Sequence, residues 1–508
     1  MSLAILLSRS LVGLDAPTVR VETHLAPGLP VFTLVGLADA EVRESRERVR
    51  AAMHSSGYSF PAGRLTVNLS PADLPKESGR FDLPIALGVL LATGQIDMPE
   101  LTARVKDMPP VPMLSSWVIA GELSLTGRLV PIAGAVAIAL AVARSHRGAT
   151  LVLPAVSAAQ AARVPGLHVL AAGSLTDVVE HLCGRQQMPV AVPVPSRVRS
   201  LPDACLADVR GQQLARRAFE VAAAGGHSIL LKGNPGVGKS MLARRLRGIL
   251  PPLTETEALE VAAVSAFAES REIDWGVRPF RAPHHSASMA AVIGGGTTPR
   301  PGEVTLAHRG ILFLDEIPEF NRRVLEALRE PLENREVSIA RVRLKVNFPA
   351  DFQLIAAMNP CPCGWFGHPV QKCHCRPESI ALYENRLSGP LMDRIDVVTT
   401  LDNTELILLD LPAGETSVEV RARVLAARER QHKRQGHNNA SLTVSQIDEH
   451  CLMTTEAAAF LAQAIARFRL SARAVHRVRR VARTCADIAG ADSLALIHIG
   501  EALQYRPR

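Results

Sequence analysis

The chain has 508 residues, 47% of them hydrophobic and 21% charged, which is enough to bury several cores. Its 57 Lys and Arg residues outnumber 49 Asp and Glu, and the net charge of +8 favours polyanionic partners without excluding an ordinary basic enzyme. The apolar runs at 83–91 and 133–142 are shorter than the about 20 residues of a membrane-spanning helix, and the N-terminal run lacks the basic start of a signal peptide. We therefore expect a multidomain protein of the cytoplasm with no membrane partner.

Residues 1–185 alternate β-rich with helical runs, which predicts a mixed α/β domain. Asp39 is placed to cap a helix that buries Val49 and Met53 and ends at Gly57. The predicted strands cover residues 31–36, 65–69, 117–121 and 150–154.

Part of this domain resembles the proteolytic domain of Lon proteases. The matching stretches are residues 75–86 and residues 124–134. Lon chemistry needs a serine activated by a lysine whose pKa is lowered by burial. The resemblance puts Asp82 at the position of the serine and Val136 at that of the lysine, and neither can do this chemistry. We predict a Lon-protease-like, inactive domain, and we expect Lys76 and Ser78 to lie in a solvated loop rather than to form a substitute dyad.

A Pro-rich stretch, residues 186–203, lacks helical periodicity and is typical of a semi-rigid linker. After it, residues 227–240 predict a buried strand, a phosphate-binding loop and a helix. The loop fits G-x-x-x-x-G-K-[ST], in which backbone N–H groups wrap the phosphates, Lys239 reaches the β and γ oxygens and Ser240 can hold Mg²⁺. The residues expected to bind ATP are Gly233, Asn234, Pro235, Gly236, Val237, Gly238, Lys239 and Ser240.

Another apolar run, residues 310–314, ends in the carboxylates of Asp315 and Glu316. Such a pair is often only a solvated sheet edge. Behind a phosphate-binding loop it favours ATP hydrolysis, with Asp315 organising Mg²⁺ and Glu316 polarising the attacking water.

Two further polar residues suit the same reaction. Asn359 follows an apolar strand predicted at 352–358, and its amide would lie between the γ-phosphate and the water. Arg394 follows a short helix and can neutralise transition-state charge in a neighbouring subunit, although a surface salt bridge is the alternative.

These pieces in this order resemble the AAA+ ATPases. The sequence motifs at residues 278–285, 294–296, 301–304 and 306–310 resemble more specifically the YifB/ComM family of the magnesium-chelatase-related branch. The resemblance covers essentially the whole chain. It implies an α/β protein with the inactive Lon-like domain, a parallel-sheet AAA+ core at 204–400 and a helical lid at 401–508.

The resemblance also implies a function. It implies a homo-hexameric ATPase that binds branched or single-stranded DNA and drives branch migration of recombination intermediates in natural transformation and homologous recombination, with other recombination proteins as candidate partners. Arg473 matches the family's sensor 2 position, which implies contact with the γ-phosphate of its own subunit. For Arg477 and Arg480 on the same helix we expect a solvated basic face, with DNA contact as the alternative.

Residues 337–346 alternate apolar side chains with Arg341, Arg343 and Lys345, which predicts a two-stranded hairpin with one basic face. The family has a hairpin that points into the central pore at this place. The basic face could follow DNA phosphates, or the hairpin could simply be solvated.

Four of the eight cysteines crowd into residues 361–375. Cys361, Cys363, Cys373 and Cys375 can close a tetrahedral structural zinc site, and chance clustering is the alternative. Disulfides are disfavoured in a reducing cytoplasm.

Two other functions remain open. The first is the ATPase subunit of a magnesium or cobalt chelatase, although the Lon-like domain has no role in that task. The second is an ATP-dependent protease, against which Asp82 and Val136 argue.

Overall fold

The structure is a computed structural model. It describes residues 2–36, 40–74, 76, 79–96, 114–146, 148–193, 204–267, 274–296, 299–341, 344–401 and 413–507. The chain divides into two compact units, which we treat separately. Unit 1 comprises Met1–Arg197 and Ala258–Trp275, and unit 2 comprises Val198–Glu257 and Gly276–Arg508.

Unit 1 is built on a mixed sheet. Its strands are β1 (Ser2–Arg9), β2 (Thr18–Ala26), β3 (Val31–Val35), β4 (Arg64–Ser70), β5 (Trp117–Ile119), β8 (Thr150–Pro154) and β9 (His168–Ala172), with the small ribbon β6 (Glu122–Leu123) and β7 (Leu129–Val130) beside it. The sheet order among the described strands is β3-β4-β2-β1-β5-β8-β9. The four predicted strands are confirmed. Strands β1, β2 and β9 were not predicted. The apolar run of β1 was considered only as a signal peptide, whereas Ala4 and Leu6 are buried in the sheet.

The helices of unit 1 cover the sheet. They are α1 (Ala40–Ser55), α2 (Asp82–Ala92), α3 (Ala135–Ser145), α4 (Ala155–Ala161) and α5 (Leu175–Leu182). Val49 and Met53 of α1 are fully buried, as predicted, and Gly57 takes a φ of 82° just after the helix. Asp39, the predicted cap, lies outside the described residues.

The positions matched to the Lon catalytic pair have structural roles. Asp82 is fully buried and accepts a 2.8 Å bond from Nε of Arg48 and a 3.2 Å bond from the backbone N–H of Leu123. Val136 is buried in an apolar cluster. The expectation of a solvated loop is wrong for Lys76, which is buried and donates to the carbonyl of Pro71, while Ser78 lies outside the described residues.

The segment 258–275 departs from the predicted continuous core at 204–400. Leu259, Ala262 and Ala263 are buried in the same cluster of unit 1 as Val136. The guanidinium of Arg163 lies 4.3 Å from the ring centroid of Trp275. The apolar face of this segment is therefore buried in unit 1, although the segment follows the phosphate-binding loop in sequence.

Unit 2 contains a parallel sheet. Its strands are β10 (Ile229–Lys232), β11 (Phe280–Arg281), β14 (Ile311–Leu314), β17 (Gln353–Met358) and β18 (Val397–Thr400). Their order is β11-β14-β17-β10-β18, and each neighbouring pair is parallel. Two ribbons lie outside the sheet, β12 (Gly294–Gly295) with β13 (Arg300–Pro301) and β15 (Glu336–Arg341) with β16 (Leu344–Pro349). Because the sheet is parallel, the carboxyl ends of its strands share one edge and the amino ends share the other.

Helices flank this sheet and form the lid. The first group is α6 (Gln213–Gly225), α7 (Lys239–Ile249), α9 (Met289–Val292), α10 (Glu303–Leu306), α11 (Arg322–Ala327), α12 (Arg329–Asn334), α13 (Pro377–Glu384) and α14 (Gly389–Met392). Helix α8 (Glu255–Ser265) begins in unit 2 and belongs to unit 1 from Ala258 onward. The lid is α15 (Ser417–Gln435), α16 (Val444–His450), α17 (Thr455–Phe468), α18 (Ala472–Ala489) and α19 (Leu496–Gln504). Lid and sheet share one apolar core. Among the helices described, none is long and apolar enough to cross a membrane.

The prediction of a solvated basic face on α18 is wrong. Nη1 of Arg477 donates to the carbonyls of Met392 and Ile395, each at 3.1 Å, and Nε of Arg480 donates to the carbonyl of Leu442 at 3.1 Å. These arginines instead donate to backbone carbonyls at or near the ends of other elements, where helical partners run out.

Arg428 on α15 serves the same purpose. It donates from Nε and Nη2 to the carbonyl of Ala223 near the end of α6, at 2.9 and 2.7 Å, and burial lowers the pKa of Arg428 to about 9. Much of the positive charge of the lid thus belongs to arginines that form hydrogen bonds to the sheet domain.

Candidate active site

The phosphate-binding loop connects the carboxyl end of β10 to the start of α7. Gly236 and Gly238 have φ values of 85° and 92°, a backbone conformation that glycine adopts without strain. Gly238 immediately precedes α7, whose first-turn N–H groups have no carbonyl partners within the helix. The loop and the helix start together form a cradle suited to phosphate oxygens.

Lys239 is held at the centre of this loop. Its Nζ donates to the carbonyls of Gly233 at 2.7 Å and Asn234 at 2.9 Å, and to Oδ1 of Asn359 at 3.0 Å. Burial lowers the pKa of Lys239, and the nearby charges of Asp315 and Glu316 oppose that shift. The structure thus joins the loop lysine to the residue that follows β17.

Ser240 and Asp315 meet beside the lysine. The hydroxyl of Ser240 donates to Oδ2 of Asp315 at 2.7 Å, and Oδ1 of Asp315 accepts from the backbone N–H of Glu316 at 3.0 Å. A hydroxyl and a carboxylate so close together are the hard oxygen ligands that Mg²⁺ prefers. These two residues therefore fit a magnesium ion.

Glu316 projects from a strained backbone at the end of β14. Its φ is 50°, uncommon for a residue other than glycine, and its side chain is half-exposed. Oε2 of Glu316 lies 3.6 Å from Nδ1 of His285, which stacks on His284 with ring centroids 4.1 Å apart. The segment after β11 emerges beside Glu316 because β11 pairs with β14. The sequence did not predict this contact, although the run 278–285, which contains His285, contributed to the family resemblance.

Tyr383 is a second residue of the site that the sequence did not predict. It is buried on α13, and the backbone N–H of Asn359 reaches its hydroxyl. Burial raises the pKa of Tyr383 to about 12, and the charge of Glu319 adds to this shift. No local pattern could have indicated the contact, because it depends on how α13 packs against the end of β17.

Arg394 lies at the opposite edge of the sheet from the phosphate-binding loop. It precedes β18, and the backbone N–H of Asp396 donates to the carbonyl of Ser228 just before β10, at 3.1 Å. The four residues of β10 span about 13 Å at 3.3 Å per residue, so the two edges are far apart.

Arg473 lies at this same distant edge. Its Nη1 is 4.0 Å from Oδ2 of Asp393, and its side chain is 74% exposed. Arg473 and Arg394 line one cavity of about 750 Å³, whereas residues 233–240 do not line it. This placement differs from the predicted contact between Arg473 and the γ-phosphate of its own subunit.

The four clustered cysteines converge. Sγ of Cys361 lies 3.4 Å from that of Cys363 and 3.7 Å from that of Cys373, and the four sulfurs, including that of Cys375, lie within 4.8 Å of one another. Tetrahedral zinc with Zn–S bonds of about 2.3 Å separates its sulfurs by about 3.8 Å. A hydrogen bond from the backbone N–H of Trp365 lowers the pKa of Cys363 to about 6, which favours the thiolate. The pKa values of Cys373 and Cys375 are raised despite their backbone hydrogen bonds, because burial and the bonds with Cys363 outweigh these. The set therefore fits a structural metal ion.

The cysteine loop packs on the phosphate-binding loop. The buried Asn234 donates from Nδ2 to the carbonyl of Gly364 at 2.5 Å. Gly364 has a φ of 86°, and a Cβ there would lie 2.6 Å from Cγ of Pro235. Two residues predicted to bind ATP, Asn234 and Pro235, thus face the cysteine loop.

The predicted hairpin is confirmed as β15 and β16. One face is apolar, with Val337, Val346 and Phe348 buried, while Lys345 is exposed. Ala340 pairs with Lys345 near the tip. Arg343 and the side chain of Arg341 lie outside what the structure describes.

A five-stranded parallel sheet with this phosphate-binding loop, a Ser-Asp pair beside it and a helical lid defines an ATPase of the AAA+ class. Residues 205–407 match the family described as magnesium chelatase, subunit ChlI. Residues 21–157 match subunit ChlI of Mg-chelatase, and residues 414–506 match the C-terminal region of magnesium chelatase subunit ChlI.

The chain is 44% identical to competence protein ComM of Haemophilus influenzae, covering 100% of this chain and 98% of that protein. It is also 44% identical to the uncharacterized protein YifB of Escherichia coli, covering 100% and 97%. A more distant match, 26% identical over 36% of this chain and 37% of the other protein, is Lon protease 2 of Bacillus subtilis. The chain therefore belongs to the YifB/ComM family of magnesium-chelatase-like proteins.

Proposed function

We propose that the protein is a cytoplasmic, ATP-driven DNA motor that promotes branch migration of recombination intermediates during natural transformation and homologous recombination. The observation that carries the proposal is the separation of two half-sites on one sheet. Lys239, Ser240, Asp315 and Glu316 lie at one edge, and Arg394 and Arg473 lie at the other.

ATP hydrolysis would use the first edge. Lys239 would bind the β and γ oxygens, and Ser240 with Asp315 would hold Mg²⁺, which neutralises phosphate charge when bound. Glu316 would polarise the attacking water, and Asn359 would orient that water against the γ-phosphate. The contacts of Lys239 with Asn359 and of Ser240 with Asp315 support these roles because together they bring the segments after three strands to one point.

The second edge would complete the site of a neighbouring subunit. In a ring such as a homo-hexamer, the sheet edge that carries Arg394 and Arg473 in one subunit would face the phosphate-binding loop of the next subunit. Arg394 and Arg473 would then both stabilise the γ-phosphate in trans. This role for Arg473 replaces the own-subunit role that the resemblance implied.

DNA would be bound by the hairpin β15–β16. Lys345 is exposed near its tip, and Arg341 and Arg343 lie four and two positions before it in the sequence. Basic side chains bind phosphates without regard to sequence, and this binding weakens as salt rises. The role in transformation rests on the competence protein to which the chain is similar.

The cysteine cluster would hold a structural zinc ion. The ion would fix the loop after β17, and through Gly364 and Asn234 it would support the phosphate-binding loop. Its role would be structural, because four sulfurs leave no open ligand position for chemistry.

The test is a strand-exchange assay with purified protein and ATP, on forked and four-way DNA compared with linear duplex. We expect the branch point to migrate in the forked and four-way DNA, and no reaction of the linear duplex. ATP turnover should be faster when branched DNA is present. Glu316→Gln is the matched control, since it should bind the same DNA without moving it. ATP turnover that ignores DNA, with no branch moved, would reject the proposal.

A second candidate is the ATPase subunit of a magnesium or cobalt chelatase. It is favoured by the family match and by 25% identity to the magnesium-chelatase 67 kDa subunit of Heliobacterium mobile, over 34% of this chain and 30% of that protein. ATP-dependent insertion of Mg²⁺ or Co²⁺ into a tetrapyrrole by complementing chelatase subunits, followed by absorbance, would favour it over DNA motion.

A further inference from the structure

Arg394 is already engaged within its own chain. Nη1 donates to the carbonyl of Pro390 at 2.7 Å, and Nη2 pairs with the carboxylate of Glu333. Nε is buried and has no hydrogen-bond partner among the residues described. With the side chain only 17% exposed, both terminal nitrogens of Arg394 are occupied.

Glu333 is surrounded by positive charge. The hydrogen bond from Arg394 is the main cause that lowers the pKa of Glu333, and the charges of Arg473 and Arg329 add to it. Glu333 therefore stays ionised at neutral pH. Its side chain is 62% exposed, so Glu333 is not needed to fill a core.

Glu333 is also connected to the hairpin with no intervening loop. It is near the end of α12, Arg335 follows with a φ of 60°, and β15 begins at Glu336. The carbonyl of Arg335 accepts a 2.7 Å bond from the backbone N–H of Ala350, just past the end of β16. A displacement of the hairpin base is therefore transmitted directly to α12 and to Glu333.

Building on the proposed function, we propose that Glu333 is a positioning residue that withholds Arg394 from the neighbouring subunit's ATP until DNA engages the hairpin. Bidentate contact of an arginine with a phosphate needs two of its N–H donors at once. In the arrangement described, the bonds to Pro390 and Glu333 fix the orientation of the Arg394 guanidinium and pair its charge, so the γ-phosphate and Glu333 compete for Arg394. Movement of α12 with the hairpin removes Glu333 from this competition.

The test is Glu333→Gln in the full-length protein, with steady-state ATP turnover measured with and without branched DNA. Without DNA we expect kcat to rise about threefold to fivefold, the worth of an ion pair with one exposed partner. KM for ATP should stay unchanged, because Lys239 and Ser240 are untouched. Stimulation by DNA should shrink by the same factor. Glu330→Gln, an exposed glutamate on the same helix, is the matched control and should behave as wild type.

A purely structural role for Glu333 would produce a different result. It would lower the melting temperature without raising kcat in the absence of DNA, and that outcome overturns the proposal. Glu333→Asp, which keeps the charge but withdraws it by one methylene, should give a smaller rise and serves as the test if the Gln variant does not fold.

Arg394→Ala separates this proposal from the proposed function. Wild-type turnover in Arg394→Ala would reject the trans role of Arg394 itself, whatever Glu333 does. Lost turnover in Arg394→Ala without a rise in Glu333→Gln would reject only the withholding role. In the double variant, Glu333→Gln should have no further effect on the residual turnover, because Glu333 acts through Arg394.

Discussion

Lys239 donates a hydrogen bond of 3.0 Å from Nζ to Oδ1 of Asn359, 120 positions further along the chain. The two residues meet because β10 and β17 are neighbouring parallel strands, so the segments that follow them leave the sheet at the same edge. The loop lysine and the tip of β17 are thus in direct contact. ATP would have to take over Nζ of Lys239 from this contact and from two loop carbonyls.

Lys239→Ala is expected to weaken ATP binding about 10- to 100-fold, the worth of hydrogen bonds to a charged group. Isothermal titration with a slowly hydrolysed ATP analogue measures it. Lys232→Ala is the control, because Lys232 at the end of β10 pairs with Glu384 instead. Unchanged affinity in Lys239→Ala would remove the lysine from the site.

Glu316→Gln is expected to keep ATP affinity and to lower kcat about 100-fold or more, since an amide cannot accept a proton from water. Steady-state phosphate release, together with the binding titration, separates the two effects. Glu319→Gln, three residues on and paired with Arg386, should retain most activity. Wild-type hydrolysis in Glu316→Gln would contradict the proposed role.

Mixtures of two inactive variants are expected to regain ATP turnover. Arg473→Ala subunits keep an intact phosphate-binding loop, and Lys239→Ala subunits keep Arg473, so a trans site forms where the two variants are neighbours. If Arg473 instead acted within its own subunit, no site in the mixture would be complete and turnover would stay absent. The measurement is ATP turnover against mixing ratio at constant total protein.

Cys363→Ser combined with Cys373→Ser is expected to abolish bound metal, measured by elemental analysis of the purified protein. Wild type should carry about one zinc per chain. ATP affinity should fall as well, because the cysteine loop is bonded to Asn234. Cys183→Ser, outside the cluster, is the control. Well-folded wild-type protein that purifies free of metal would refute the zinc site.

Asp82→Asn is expected to destabilise unit 1 by about 3 kcal/mol, because it removes the buried carboxylate that accepts two hydrogen bonds from the guanidinium of Arg48. Chemical denaturation measures the change. Glu44→Gln, on the same helix as Arg48 and 3.9 Å from it, should change stability by less than about 0.5 kcal/mol. We also expect no proteolysis from Asp82→Ser, since Val136 cannot activate a serine.

Much of the first half-site could be predicted, for a local reason. Each of its residues lies on a segment that leaves a short apolar strand, Lys239 at the start of α7 after β10 and Asp315 and Asn359 directly after β14 and β17, and parallel strands bring such segments together. The sequence analysis therefore placed Lys239, Asp315 and Asn359 correctly along the strands. His285 and Tyr383 were not predicted: the run 278–285 contributed only to the family resemblance, and the packing of α13 that brings Tyr383 to this edge has no local signature.

The lid shows the opposite case. The sequence predicted that Arg473, Arg477 and Arg480 share a helix, which is α18, but not which way these arginines point. We expected Arg477 and Arg480 to be solvated, because a charged side chain on a helix usually is. Arg477 instead donates to the carbonyl of Met392 at the end of α14, and Arg428 of α15 donates to that of Ala223 in α6, both distant in sequence.

The sequence by itself determined the chemical inventory of this protein: a loop that cradles phosphate, carboxylates for metal and water, four thiols at metal spacing, and a Lon-like domain without its nucleophile. Those features depend on short runs of residues. Only the tertiary structure decided that Arg394 and Arg473 lie at the edge of the sheet away from Lys239, and that Glu333 holds Arg394 there. The physical reason is that the direction of β18 and the docking of the lid are set by packing over the whole of unit 2.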